Sequence, residues 1–175
     1  MRVVTWNINS VRLRINSVKK VVKKLNPDIL CLQETKCLKE DFPFEDFKKM
    51  GFVDTEAIGI KGYNGVCIAS KHPITSIDKH IFFNKDDARH MNIEFLYKNK
   101  KIIIHNFYVP AGGDEPDPKI NDKFKHKLKF LEEATKLFSS KKSADNDLVV
   151  LVGDLNIAPH EMDVWSHQQL KNVVS

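Results

Sequence analysis

The sequence predicts an α/β protein in which helices and strands are layered around two packed β-sheets. Three observations carry that prediction. Residues 28–33 and 147–153 are short, nearly continuous apolar runs, the pattern of strands covered on both faces. Val18, Val21, Val22 and Leu25 recur at i, i+3, i+4 and i+7 with lysines between them, the period of an amphipathic helix. Met91, Ile93, Phe95 and Tyr97 fall on alternate positions, as in a strand with one wet face. Helix and strand periods interleave along one chain, which a layered architecture accommodates.

Taken in order, residues 2–6 read as a first strand. The helix carried by the valines ends near Asn26-Pro27, because proline cannot continue it. The buried strand 28–33 follows, then a short helix around 45–50 that stops at Gly51. Strand-like runs occupy 52–58, 65–70, 74–83, 91–97 and 101–109. The Gly/Pro/Asp-rich stretch 110–118 is a loop, and 121–138 is a long helix with Phe124, Leu128, Leu131 and Ala134 on one face. Residues 147–153 form a last buried-type strand, 158–167 a loop or short turn, and Leu170, Val173 and Val174 give the end an apolar character. Natural domain termini are normally polar and frayed. The expectation is therefore a single domain over 1–175, truncated at its C-terminus.

Composition narrows the class. With 175 residues, 42% hydrophobic and 29% charged, the chain is long enough for a sizeable core and too apolar for disorder. Its apolar stretches, such as 102–104 and 148–152, are too short to span a bilayer, so no membrane partner is expected. Residues 1–7 run straight into a strand pattern without a signal-peptide core. Cys31, Cys37 and Cys67 form no CxxC pair, and an odd number argues against a disulfide framework; Cys31 and Cys67, inside apolar runs, read as buried thiols. A cytoplasmic protein is expected. The net charge is +5 and the pI about 9.0, yet all but four of the 28 basic residues are lysine. Lysine supplies charge without the bidentate base-reading fork of arginine, which suits holding phosphates regardless of sequence.

Four segments place polar residues directly at the end of an apolar strand, where open α/β sheets carry their sites. They are Trp6-Asn7-Ile8-Asn9, Leu32-Gln33-Glu34-Thr35-Lys36, Asn106-Phe107-Tyr108-Val109-Pro110 and Gly153-Asp154-Leu155-Asn156-Ile157-Ala158-Pro159. Singly, each has a plainer explanation: Asn7 as a turn former, Glu34 as a solvated residue paired with Lys36, Tyr108 as a core aromatic, Asp154 and Asn156 as caps. Together they would require four coincidences of one kind. Glu34 offers a hard carboxylate and Asn7 a carbonyl oxygen, a donor set suited to Mg²⁺ or Mn²⁺. Asp154 can take a proton from a water nucleophile, and Asn156 and Tyr108 can donate hydrogen bonds to a phosphoryl oxygen. A Lewis acid, a base and neutral donors are the parts that metal-assisted phosphodiester hydrolysis needs. No HExxH or Cys/His zinc spacing occurs.

These segments, with Gly62-Tyr63-Asn64-Gly65-Val66 and Val164-Trp165-Ser166-His167, occur in the order and context of the exonuclease III family, which the chain resembles over essentially its whole length. That family is a branch of the endonuclease/exonuclease/phosphatase superfamily and includes abasic-site endonucleases. The resemblance implies a four-layer αββα sandwich of two packed mixed sheets. It also implies Mg²⁺-dependent cleavage of duplex DNA 5′ to abasic sites, with 3′-to-5′ exonuclease and 3′-end phosphodiesterase or phosphatase activity. The partners it implies are double-stranded DNA bearing abasic sites or 3′ ends, bound by a monomeric full-length enzyme. By motif, Asn7 and Glu34 are metal-site residues and Tyr108 meets the scissile phosphate. Asp154 activates water or shuttles a proton, and Asn156 helps hold the phosphate; both also stand among the candidate metal residues. Arg12, and more remotely Tyr63 and Arg89, are candidate DNA contacts.

Family members continue to a later aspartate and to a terminal Ser-Asp-His segment that this sequence lacks. His160 and His167 stand in the wrong context to replace that histidine. The expectation is a second sheet left incomplete, an exposed edge that favours association, and greatly reduced activity of these 175 residues alone. Two other readings compete with the repair nuclease: a phosphatase or phosphodiesterase of the same superfamily acting on a small phosphorylated molecule, and an inactive nucleic-acid-binding fragment.

Overall fold

In the computed structural model, which describes residues 1–140 and 147–174, local sequence signals set the first elements and burial fixes their orientation. Strand β1 (Val3–Asn7) leads through a loop to helix α1 (Ile15–Leu25), which buries Val18 and Val22. Asn26 ends the helix in the left-handed region at φ 45°, its N–H donating to the Val22 carbonyl, as a helix stop before proline should. Next come β2 (Ile29–Gln33), α2 (Phe44–Lys49), β3 (Asp54–Ile60), β4 (Tyr63–Ser70), β5 (Ser76–Asp78), β6 (His90–Tyr97) and β7 (Lys100–Tyr108). Helix α3 (Asp122–Ser140), β8 (Leu148–Asp154) and α4 (His167–Leu170) complete the order.

The chain divides into two units. The first runs from Met1 to Ile81, takes in Asp86–Tyr108 and adds the strand ending at Asp154. It holds two mixed four-stranded sheets, ordered β1-β2-β4-β3 and β5-β6-β7-β8. Each sheet contains one parallel pair, β1 with β2 and β7 with β8, and the other pairings are antiparallel. The sheets pack face to face: Ile29, Cys31, Val66 and Ile68 of one meet Met91, Ile93, Phe95, Ile102 and Ile104 of the other. The opposite face of the first sheet, with Leu30, Leu32, Cys67 and Ala69, packs against Val18 and Val22 of α1 and Phe47 of α2. Every residue of β2 is buried, as its unbroken apolar run predicts for a strand covered on both faces. The α/β class with two packed mixed sheets is the architecture the sequence predicts. All three cysteines are buried and free, as expected for Cys31 and Cys67.

The second unit comprises Phe82–Lys85, the segment from Val109 through α3, and the segment from Leu155 onward. Phe130 of α3 is fully buried, its ring centroid 4.2 Å from that of Phe82. Asn121 Nδ2 donates to the Gly112 carbonyl at 2.9 Å, and the Val174 N–H donates to the Asp114 carbonyl at 3.1 Å.

Four local expectations differ from the structure. The run 74–83 is a strand only over Ser76–Asp78, since its exposed residues leave little to bury. Helix α3 buries Lys127 and Phe130 most deeply; of the expected face Phe124, Leu131 and Ala134 are partly buried, and Leu128 stays 43% exposed. The supposed wet face of β6 is covered at His90 and Asn92; the His90 ring lies 4.4 Å from that of Phe107, and its Nε2 is 2.9 Å from His105 Nδ1. Strand β8 is an edge strand with Leu148 and Leu151 exposed, although its sequence reads as doubly covered. Among the described residues no helix is long and apolar enough to cross a membrane.

Candidate active site

Parallel pairing determines where the polar strand ends meet. Because β1 runs parallel to β2, and β7 to β8, Asn7, Glu34, Tyr108 and Asp154 all lie at or just beyond carboxyl ends. Asn7 and Glu34 come from one sheet, Tyr108 and Asp154 from the other. The Asn7 amide joins them: Nδ2 donates to Glu34 Oε1 at 2.8 Å and to Asp154 Oδ2 at 2.7 Å, using both amide protons. Tyr108 donates its hydroxyl to the same Glu34 Oε1 at 2.9 Å. Lys36 Nζ stands 2.8 Å from Glu34 Oε2 and donates to Asn9 Oδ1 at 2.6 Å. The Asn9 N–H in turn donates to Asn7 Oδ1 at 3.2 Å, closing the circuit.

Loop backbone holds these groups. Glu34 and Lys36 adopt φ of 54° and 53°, a left-handed conformation that side-chain-bearing residues keep only where the surroundings impose it. Here the imposition is a hydrogen-bond ladder running past the strand ends. Ser10 N–H donates to the Glu34 carbonyl at 2.7 Å, Val11 N–H to Thr35 at 3.2 Å, and Lys36 N–H to Asn64 at 2.8 Å. Asn64, itself at φ 46°, donates Nδ2 to the Asp87 carbonyl at 2.8 Å. Gly153, at φ 144°, pairs with Phe107 so closely that a Cβ would collide with the Phe107 backbone, and this close approach brings Asp154 beside Tyr108.

Electrostatics separates the roles. Burial disfavours ionisation of Glu34, but hydrogen bonds from Asn7, Lys36 and Tyr108 and the Lys36 charge outweigh it, leaving the carboxyl below its ordinary range. The Tyr108 phenol is pushed up to about 12 by burial and by its bond to the Glu34 carboxylate. At neutral pH the site thus holds an ionised Glu34 and a protonated phenol able to donate. A set of oxygen donors around an ionised carboxylate is chemically fitted to a hard divalent cation held by few protein ligands. Glu34, the carbonyl oxygen of Asn7 and Asp154 are the groups available. Among the described residues no group of three or more His, Cys, Asp or Glu forms a metal cage.

The remaining predicted residues are dispersed. Asn156 belongs to the second unit, where Nδ2 donates to the Val109 carbonyl at 2.8 Å and its own carbonyl accepts from Lys127 Nζ at 2.6 Å. It takes φ 48°, and Lys127 also donates to the Ala111 carbonyl at 3.3 Å. Arg12 is exposed beside Asp41 at 3.8 Å, and Tyr63 is exposed at the start of β4. Arg89 departs from the surface DNA contact suggested for it. It is buried, its Nε 2.6 Å from Asp87 Oδ2 and its guanidinium 4.7 Å over the Tyr108 ring, with Nη1 donating to the Tyr108 carbonyl at 3.3 Å. Here it orients the tyrosine. The sequence offered Lys36 only as an ion-pair partner of Glu34, a pair the structure shows, and gave no role to Asn9, Gln33, Asn106 or Asp87. Gln33 and Asn106 carried a legible signal, each being a polar residue in an apolar strand one or two positions before a candidate site residue.

Comparison with known proteins agrees with the fold. An AP endonuclease from Archaeoglobus fulgidus is 34% identical and superposes with a TM-score of 0.87, covering 99% of this chain and 65% of its own. A 3′ phosphatase from Neisseria, bound to a product DNA hairpin, is 27% identical with a TM-score of 0.81 and the same two coverages. Exodeoxyribonuclease III of Haemophilus influenzae is 26% identical over 166 residues, 94% of this chain and 60% of that protein. The chain therefore spans a little under two thirds of the length of these relatives. Residues 4–173 match the Endonuclease/Exonuclease/phosphatase family profile, and the chain belongs to that family.

Proposed function

We propose that this chain carries a phosphodiester-hydrolysing site of a DNA-repair nuclease that uses Mg²⁺, or Mn²⁺, and cuts duplex DNA 5′ to abasic sites and at 3′ ends. The supporting observation is the convergence of Asn7, Glu34, Tyr108 and Asp154 from two sheets into one hydrogen-bonded cluster. The DNA hairpin held by the Neisseria relative favours a polynucleotide over a small phosphate ester.

In this reading Glu34, the Asn7 carbonyl oxygen and Asp154 would hold the cation. The bound cation supplies Lewis-acid polarisation of a phosphoryl oxygen. Asp154 accepts one proton of the water whose oxygen bonds to phosphorus; the ester P–O bond breaks, and Asp154 returns that proton to the departing oxygen, which leaves as an alcohol while the carboxylate is restored. Tyr108, kept protonated, donates to a non-bridging oxygen where charge accumulates. Asn7 fixes the directions of both carboxylates with one amide. Arg12 and Tyr63, both exposed, are available to the DNA backbone.

The test is incision of a duplex with one abasic site by the 175-residue chain, with Mg²⁺ or EDTA, beside Glu34→Ala. Cutting that requires Mg²⁺ and disappears in the variant supports the reading. Absence of cutting by the folded wild-type chain at any Mg²⁺ concentration overturns the claim that these residues suffice.

A further inference from the structure

We propose that Gln33 and Asn106 are a positioning pair, a buried amide clamp between the two sheets that fixes Glu34 against Tyr108 for the reaction. The inference rests on the reading of Glu34 and Tyr108 as site residues and deepens it.

The contact that joins the sheets is mostly apolar, and apolar contact is non-directional; it resists separation far better than sliding. The clamp is the directional element within it. Gln33 and Asn106 are 1% and 0% exposed. Gln33 Nε2 on β2 donates across the gap to Asn106 Oδ1 on β7 at 2.6 Å. Asn106 Nδ2 donates back to the Leu32 carbonyl at 3.0 Å and the Cys67 carbonyl at 2.9 Å, residues that are register partners on β2 and β4. Gln33 Nε2 also donates to Thr5 Oγ1 on β1 at 3.0 Å. Four strands, β1, β2, β4 and β7, are thereby tied at one level.

Three of the four tied strands deliver a site residue one or two positions further on: Thr5 precedes Asn7, Gln33 precedes Glu34, and Asn106 precedes Tyr108. A spacing of two returns a side chain to the same face about 6–7 Å along a strand. Displacement at the clamp is therefore passed on to the Glu34–Tyr108 bond almost undiminished. Stability alone does not account for the pair. Two apolar residues of the same shape remove the Gln33–Asn106 bond together with both its partners, at little net cost, and what is lost besides is the set of bonds to Leu32, Cys67 and Thr5 that ties the strands. What the amides add is register between sheets.

The test is the double variant Gln33→Leu/Asn106→Leu, with Gln33→Met beside it, a smaller change that leaves both Asn106 donor bonds in place but takes the Gln33 donor from Asn106 Oδ1. Two readouts are taken on each folded variant: the Tyr108 Oη to Glu34 Oε1 distance in a crystal structure, and kcat and KM for abasic-site incision. The expected result, in variants that still fold, is a lowered thermal midpoint and a distance opened from 2.9 Å past hydrogen-bond reach. With it, kcat should fall about 10- to 100-fold at nearly unchanged KM, the scale expected for reacting groups misplaced by about 1 Å. A folded variant that keeps both the bond and kcat overturns the proposal. If the wild-type chain cuts no DNA, the proposed function fails, and the clamp still stands or falls on the distance.

Discussion

Gly153→Ala separates geometry from composition more sharply than any change at a charged residue. Gly153 sits at φ 144°, pairs with Phe107 in the β7–β8 ladder, and precedes Asp154. A Cβ there meets the carbonyl oxygen, carbonyl carbon and nitrogen of Phe107, which are backbone atoms that cannot swing aside as a side chain would. Two costs combine. Holding an alanine at such a φ costs about 1–3 kcal/mol. Pushing β8 off β7 weakens about two ladder hydrogen bonds, at about 1 kcal/mol each. The sum is about 3–5 kcal/mol, which at a slope of about 2 kcal/mol/M moves the urea midpoint down by about 1.5–2.5 M. The assay is urea unfolding followed by far-UV circular dichroism, with Gly62→Ala as control. Gly62 also has positive φ, 73°, but nothing lies within 4 Å of its would-be Cβ. The control should lose only the conformational part, about 1–2 kcal/mol. A midpoint shift for Gly153→Ala no larger than that of Gly62→Ala would refute the claim that backbone contact with Phe107 demands glycine beside Asp154.

Further expectations concern the site. Because the Glu34 carboxyl lies below its unfolded value, its contribution to stability is present above the unfolded pKa and is lost as pH falls through the folded one. Glu34→Gln should therefore be less stable than wild type at pH 7, the gap narrowing below pH about 4, as thermal melts at stepped pH will reveal. In an absorbance titration one of the three tyrosines should ionise at about 12; that transition should vanish in Tyr108→Phe and move down in Glu34→Gln. Lys127→Met leaves the Asn156 carbonyl without its Lys127 donor and should lower unfolding free energy by about 1–3 kcal/mol in urea. No change would mean that solvent replaces the ammonium freely.

Strand and helix assignments at this level were legible because the signals are local. The run Ile29–Gln33 is apolar at four of five positions, and Asn26-Pro27 marks a helix end in any context. The four polar strand ends were legible for a similar reason: apolar residues that must be buried stop abruptly at Asn7, Glu34, Tyr108 and Asp154. What sequence cannot specify is which neighbour covers an element. Strand β8 reads like β2, yet one is an edge with Leu148 and Leu151 exposed and the other is sealed on both faces. Helix α3 likewise has several candidate faces, and packing against Phe82 selects the one with Phe130.

The candidate site divides along the same line. Residue chemistry, a carboxylate, a phenol and amides after apolar strands, was determined by sequence alone, because identity is carried by each residue separately. Their meeting was decided by two parallel pairings and by a sheet-to-sheet register held through Gln33 and Asn106. So was the conversion of Arg89 from a candidate DNA contact into a buried support for Tyr108. These are contacts between residues far apart in the chain, and loop closure over such separations is governed by the fold as a whole rather than by any local propensity.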